Sequence, residues 1–321
     1  MLGSGESGKS TFLKQMTIIY GRGEFTEDEL RECRTVIHQN VINGMRVLID
    51  ARQKLSFPWQ ESNRQAAADK LFSLDAASAR TMDICTFSEY APLVEELWRD
   101  LAIQTAFRNR HLFQLADSLE YFFDHLNRIA QHNYVPTNRD VLLCRKATRG
   151  ITEYHCCIQK VPFRFIDVGG QRSQRQKWFQ CFEGITSILF LVASNEYDQV
   201  LLEDRRTNRV TESRSLFQTI VNCTAFVSVS FILFLNKTDL LHEKVPHSDI
   251  CRYHPDFQGD ASSVGDVQAY LLQLFLSTRK DERKPIFHHY TTAVDTENVR
   301  CVFQDCKAII LQQNLRMLQM Q

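Results

Sequence analysis

Helical periodicity dominates the first 140 residues. Phe12, Leu13, Met16 and Ile19 recur at the spacing of one helix face. Residues 26–55 read as one long helix. Thr26-x-x-Glu29 is a capping box at its start, Leu30, Cys33, Ile37, Val41, Leu48, Ala51 and Leu55 keep a 3.6-residue period, and Pro58 ends it. Residues 60–81 are Ala-rich and polar and predict a marginal surface helix. Residues 88–98 place Leu93, Leu97 and Trp98 on one face. Residues 117–130 predict a further amphipathic helix, with Asp117 as N-cap and Leu119, Phe122, Phe123, Leu126 and Ile129 buried. A short helix follows from Thr137 to Leu143. No stretch between 25 and 142 alternates as a strand does, so this region predicts an all-α domain.

The pattern changes after residue 150. Ile151–Ile158 and Pro162–Val168 read as two strands joined by a short turn. Ser187–Ala193 and Val227–Leu235 are continuous apolar runs, as in a parallel sheet buried on both faces. Ile286–Tyr290 is a shorter strand. Helical segments at 208–222, 263–276 and 295–318 fall between and after them. Strand–helix alternation predicts a doubly wound α/β domain, which binds ligands at the carboxyl ends of its strands.

Lys and Arg balance Asp and Glu at 38 each, so no global basic field points to nucleic acid. No apolar run approaches the ~18 residues of a membrane span, and no signal peptide is visible. Position 2 is Leu2, whereas myristoylation needs glycine there. The ten cysteines form no C-x-x-C pair, which argues against zinc or redox chemistry and for reduced thiols packed as small hydrophobes.

Three short stretches carry the chemistry. Gly3-Ser4-Gly5-Glu6-Ser7-Gly8-Lys9-Ser10 fits the P-loop pattern G-x-x-x-x-G-K-[ST]. Glycines at 3, 5 and 8 admit turns that a Cβ would block, so successive N–H groups can cradle an anion at a helix N-terminus. Lys9 would reach the β- and γ-phosphates and Ser10 would ligate Mg²⁺. Only Met1 and Leu2 stand where a supporting strand is expected; without that strand, a chance Gly/Ser-rich turn is the alternative. Asp167-Val168-Gly169-Gly170-Gln171 follows a strand. There Asp167 suits Mg²⁺, directly or through water, Gly170 can offer a backbone N–H to a γ-phosphate, and Gln171 can orient an attacking water. A Gly-Gly turn with a capping Asp is the competing reading. Asn236-Lys237-Thr238-Asp239 follows the most apolar strand. A carboxylate there accepts from guanine N1–H and the 2-amino group, donors adenine lacks in that arrangement, and the Lys237 stem can pack on the base plane. Thr291-Thr292-Ala293 can supply an N–H to guanine O6. An ordinary polar turn would need none of this order.

Together these residues resemble the α subunits of heterotrimeric G proteins over essentially the whole chain. The resemblance implies a Ras-like P-loop GTPase domain at 1–24 and 143–321, with an inserted helical domain at 25–142. It implies a GTP-hydrolysing switch that carries signals from G-protein-coupled receptors. Gln171 and Arg145 would be catalytic, the latter a built-in arginine finger within Leu142–Gly150. Nucleotide contacts would come from Gly5, Glu6, Ser7, Gly8, Lys9, Ser10, Thr11, Asp117, Ser118, Leu142, Leu143, Cys144, Arg145, Thr148, Gly170, Asn236, Lys237, Asp239, Thr292 and Ala293. Ser10, Thr148 and, through water, Asp167 would hold Mg²⁺. Asp117 would reach Lys237, and Glu6 would pair with Arg145; a simple N-cap remains the other reading of Asp117.

Gln171–Phe179, Tyr197–Val200 and Glu203–Arg209 are most similar to the twelve/thirteen class, which implies Rho guanine-nucleotide exchange factors as effectors. Gβγ and RGS-type regulators are the other partners implied, with no nucleic acid. Trp178 and Phe179 are read as an apolar contact surface, or Trp178 as core. Asn314–Gln321 would be the receptor-binding tail, without the cysteine that pertussis toxin modifies. Family members carry an N-terminal helix with lipid anchors and a first strand before the loop. Neither is present, so a truncated chain that engages partners without holding nucleotide is the alternative function. The cytoplasmic face of the plasma membrane is the implied location. Tyr20–Glu24 reads as one residue longer than usual.

Overall fold

The computed structural model describes residues 1–319 except 22, 62, 76–78 and 80, and the side chains of these except 313, 314 and 316–319. Arg22 of the lengthened linker therefore lies outside the described residues, as do the side chains of the tail from Asn314 on, Leu315 excepted. The chain forms two compact units, Met1–Gly23 with Ala147–Gln321, and Glu24–Lys146.

Among the described residues of the second unit, all regular structure is helical. Its axis is α2 (Glu27–Lys54), opened by the Thr26–Glu29 capping box and followed by Leu55. Ile37, Val41, Met45 and Leu48 of α2 are fully buried, as 3.6-residue spacing demands of a core helix. Around α2 lie α3 (Arg64–Ser73), α4 (Ile84–Trp98) and α5 (Leu101–Arg108). The α4 core face is Phe87, Ala91, Val94 and Leu97. Leu93 and Trp98, which the spacing placed on one face with Leu97, are only half-buried. Asp100 caps α5, which the sequence pattern missed.

The helix predicted over 117–130 is two, α6 (Leu119–Asp124) and α7 (Leu126–Ile129). His125 leaves helical geometry (φ −104°, ψ 18°) and its Nδ1 donates to the Tyr121 carbonyl at 2.8 Å. Ser118, not Asp117, occupies the N-cap position of α6, and its side chain makes no capping bond. The unit closes with α8 (Asn138–Leu143), whose capping box joins Thr137 and Asp140.

The first unit is α/β. β1 (Ile151–Ile158) and β2 (Val161–Val168) form an antiparallel hairpin. β3 (Ser187–Ala193), β4 (Ser230–Asn236) and β5 (Ile286–Thr291) are parallel, in the order β3-β4-β5. β4 starts later than the apolar run suggested, because Val227–Val229 continue the turn that follows the short 3-10 segment Thr224–Phe226, with Val227 exposed. Met1 and Leu2 already act as a strand: Leu2 bridges Phe190 in parallel, with Leu2 N–H donating to Leu189 O (2.8 Å) and Leu191 N–H to Leu2 O (2.9 Å). The Met1 amine donates to Ile166 O of β2 at 2.6 Å.

Alternate residues of β3 and β4 feed two cores. Phe190, Val192, Phe231 and Leu233 pack with Phe217 of α9 (Arg209–Val221) and Phe275 of α11 (Val264–Leu276). Leu189, Leu191, Ile232 and Phe234 pack on the opposite face with Phe12 and Met16 of α1 (Lys9–Tyr20) and Phe303 of α12 (Thr296–Gln319). Helices on both faces make every residue of β4 buried, the reason its interior, Phe231–Leu235, is unbroken by polar positions.

Candidate functional site

The loop Gly3–Gly8 leaves the Met1–Leu2 strand and enters α1 through Gly8, whose φ of 96° and ψ of 11° are left-handed. A Cβ there would stand 2.2 Å from Asn236 Nδ2, so the position needs glycine twice over. Gly5 is different: its φ is not positive, and its nearest neighbour to a Cβ would be Gln171 Cγ at 3.4 Å. The strained non-glycine residue of the loop is Glu6, at φ 67°.

Lys9, the first residue of α1, is buried. Its ammonium donates to Gly3 O (3.1 Å), Ser4 O (2.7 Å) and Ser7 Oγ (3.2 Å), a fan that wraps the loop around one cation. Burial pushes this ammonium down to about 8, against the pull of the Asp167 carboxylate.

Ser10 joins three segments. Its Oγ donates to Asp167 Oδ2 at the end of β2 (2.5 Å) and lies 2.7 Å from Thr148 Oγ1. Asp167 is 1% exposed, yet its Oδ1 has no hydrogen-bond partner. A buried carboxylate oxygen without a partner beside two hydroxyls is a hard-oxygen donor set, and it fits Mg²⁺. Gly169 and Gly170 follow, both buried. A Cβ on Gly170 would meet Ser4 O at 2.4 Å and Lys9 Nζ at 2.5 Å, so this backbone runs against the loop. Gln171 is exposed at the start of a 3-10 segment, Arg172–Cys181. Trp178 in that segment is core: it is 3% exposed and its Nε1 donates to Gly169 O (2.9 Å). Phe179 alone keeps the contact-surface reading, at 77% exposed.

At the end of β4, Asn236 ties the site together. Its Nδ2 donates to Ser7 O (2.9 Å), and its Oδ1 accepts from Ala293 N–H (3.0 Å) and Thr291 Oγ1 (3.1 Å). Lys237 is left-handed at φ 64° and starts α10 (Thr238–Lys244), a helix the periodicity did not predict. Asp239 lies exposed in its first turn. Thr292 Oγ1 sits 2.8 Å from Thr238 Oγ1. Gln15 of α1 reaches the same loop, its Nε2 donating to Ala293 O at 3.0 Å. Thus Gly5–Thr11, Thr148, Asp167, Gly170, Asn236, Lys237, Asp239, Thr292 and Ala293 belong to one unit.

The remaining candidates, Asp117, Ser118 and Leu142–Arg145, belong to the helical unit. Asp140 of α8 is fully buried, bonded by Arg128 at 2.7 and 2.8 Å and by the Tyr121 hydroxyl at 2.9 Å. That anchor fixes the helix end. Leu142 and Cys144 are buried, Cys144 Sγ donating to Cys33 O at 3.6 Å. Arg145 is exposed, and its carbonyl accepts from Asn40 Nδ2 at 3.0 Å.

Sequence reasoning used Tyr197–Val200 and Glu203–Arg209 only as marks of class. It missed Glu196 and Arg209, which pair at 2.6 Å with both side chains 4% exposed. No local signal marked them, since Glu196 follows Ser194 and Asn195, and Arg209 lies among Asn208, Thr211 and Glu212.

A family model described as G-protein alpha subunit matches residues 1–310. The chain is 59% identical over 322 residues to the guanine nucleotide-binding protein alpha-12 subunit of Caenorhabditis elegans, covering 100% of this chain and 91% of that one. It is 55% identical over 321 residues to the human subunit alpha-12, covering 100% and 84%. Against human subunit alpha-13 it is 50% identical over 326 residues, covering 100% and 86%.

Proposed function

Because the chain belongs to the G-protein alpha subunit family, we propose that its α/β unit is the Ras-like nucleotide domain, that Glu24–Lys146 is the inserted helical domain, and that the site around Lys9 carries the family's GTPase reaction. The protein is a GTPase and a transducer of receptor signals. Its likeness to the alpha-12 and alpha-13 subunits supports Rho guanine-nucleotide exchange factors as effectors, with Gβγ and RGS-type regulators as further partners. No described helix is long and apolar enough to cross a membrane. Membership of the family supports peripheral attachment at the inner membrane face.

The observation that carries the reading is the convergence of Lys9, Ser10, Thr148, Asp167 and Asn236 on one loop. In the proposed mechanism the loop N–H groups and Lys9 position the β- and γ-phosphates. Ser10, Thr148 and Asp167 would hold Mg²⁺, which when bound neutralises charge on the phosphate oxygens. Gly170 N–H meets the γ-phosphate, Gln171 orients the attacking water, and Arg145 stabilises the charge that develops in the transition state. Asn236, Lys237, Asp239, Thr292 and Ala293 read guanine.

Intrinsic fluorescence tests this. Protein loaded with GDP and Mg²⁺ should brighten on adding aluminium fluoride, and Trp178→Phe should abolish the rise because the segment bearing Trp178 is bonded to Gly169. No rise, with no GDP recovered from the protein, would refute the reading.

A further inference from the structure

A line of charge runs beneath the site. Glu6 of the loop lies 3.4 Å from Arg209 Nη2, and the same nitrogen donates to Gly5 O at 3.1 Å. Arg209 Nε donates to Glu196 Oε2 at 2.6 Å. Glu196 Oε1 accepts from Lys237 Nζ at 3.0 Å. The phosphate loop and the base-reading turn are thereby joined through two buried side chains that neither motif contains.

Three features show that this line is costly to build. Arg209 is the first residue of α9, where the helix dipole disfavours a cation. Its guanidinium and the Glu196 carboxylate are both out of water, a penalty only close pairing offsets. Both outer members are non-glycine residues in the left-handed region, Glu6 at φ 67° and Lys237 at φ 64°. Such conformations persist where surrounding contacts over-determine them, and they gather at ligand sites.

The backbone fixes Arg209 firmly. Asn208 caps α9 by accepting from Val210 N–H (2.9 Å) and Thr211 N–H (3.1 Å), while its Nδ2 donates to Tyr197 O at 2.7 Å. Arg209 N–H donates to Gln199 O at 2.9 Å. The helix start and the Glu196 segment are one rigid piece, so the guanidinium is held in place before either loop is engaged.

We infer that Glu196 and Arg209 are positioning residues for guanine nucleotide: the pair holds the phosphate loop and the Lys237 turn in register, so that phosphates and base are gripped together. This rests on the nucleotide reading above. Arg209 suits the task because its planar fork serves Glu196 from Nε and the loop from Nη2, two separated points where a lysine has one nitrogen.

The test is dissociation of a fluorescent N-methylanthraniloyl GDP from the full chain, chased with excess GDP, beside single-turnover GTP hydrolysis. The double variant Glu196→Gln/Arg209→Met removes both buried charges together, so neither is stranded. We expect GDP to leave about 10-fold faster or more, equivalent to ~1.4 kcal/mol, a larger factor than any slowing in the hydrolysis of GTP already bound. Arg209→Lys, the milder change, should fall between parent and double variant. A purely structural role predicts a lower melting temperature with unchanged release in both variants, and that result overturns the inference. Should the double variant fail to fold, release from Arg209→Lys at the parent rate overturns it equally. Failure of the parent itself to bind the fluorescent GDP would overturn the nucleotide reading, and this inference with it.

Discussion

Asn236 offers the sharpest test of how the site is held. It is 1% exposed and makes three hydrogen bonds, to Ser7 O, Ala293 N–H and Thr291 Oγ1, at 2.9–3.1 Å. Asn236→Ala removes all three. At a net value of about 1 kcal/mol per bond the loss is about 3 kcal/mol. For a unit of this size each kcal/mol is worth about 2–4 °C, so the thermal midpoint of the α/β unit should fall by about 6–12 °C. Asn236→Asp separates the contributions. A carboxylate keeps both acceptor bonds, to Thr291 and Ala293, but cannot donate to Ser7 O and repels that carbonyl. Both variants therefore lose the tie to the phosphate loop, and only the alanine loses the tie to Ala293. Thermal unfolding followed by circular dichroism, with and without excess GDP, measures the first effect. Release of fluorescent GDP measures the second, which should quicken in both variants. A midpoint for Asn236→Ala within about 1 °C of the parent, or parent-like release from Asn236→Asp, would refute the reasoning.

Other outcomes follow from the same geometry. Gln171→Leu should slow single-turnover GTP hydrolysis by about 10²-fold or more while leaving GDP affinity nearly intact; equal rates would remove Gln171 from the mechanism. Gly170→Ala drives a Cβ to within 2.6 Å of Ser4 O, Lys9 Nζ and Gly3 O, so the aluminium fluoride response of Trp178 should disappear although GDP remains bound. In the helical unit, His38 stacks on Phe87 at 3.9 Å, its Nε2 donates to Ile129 O at 3.2 Å, and burial pushes it down to about 4. The unfolded chain, with His near 6.5, then binds more protons than the folded one between pH 6.5 and 4. Stability from this group is complete above pH 6.5 and falls by about 3 kcal/mol as pH drops through that window. Denaturation midpoints of His38→Leu should lack that part of the pH dependence.

The three chemistry-bearing stretches were legible because each works through neighbouring backbone. A loop that cradles phosphate, a strand end that presents Asp167 and a turn that presents Asp239 need only consecutive residues of the right kind. The strands were legible for a related reason: β4 is covered on both faces, so every position from Phe231 to Leu235 is apolar. Helix boundaries were less so. His125 breaks a continuous amphipathic pattern through a local backbone choice that periodicity does not record. Trp178 reads equally as surface or core, and only packing with a bond to Gly169 O decided for core. Glu196 and Arg209 were invisible as a site, since 13 residues separate them and their meaning comes from shared burial. Sequence alone thus determined the family, the fold class and the motifs, which depend on local order along the chain. Tertiary structure decided which distant charges and amides lock those motifs together, because a buried ion pair or a three-way amide exists only once separate elements exclude water from the same space.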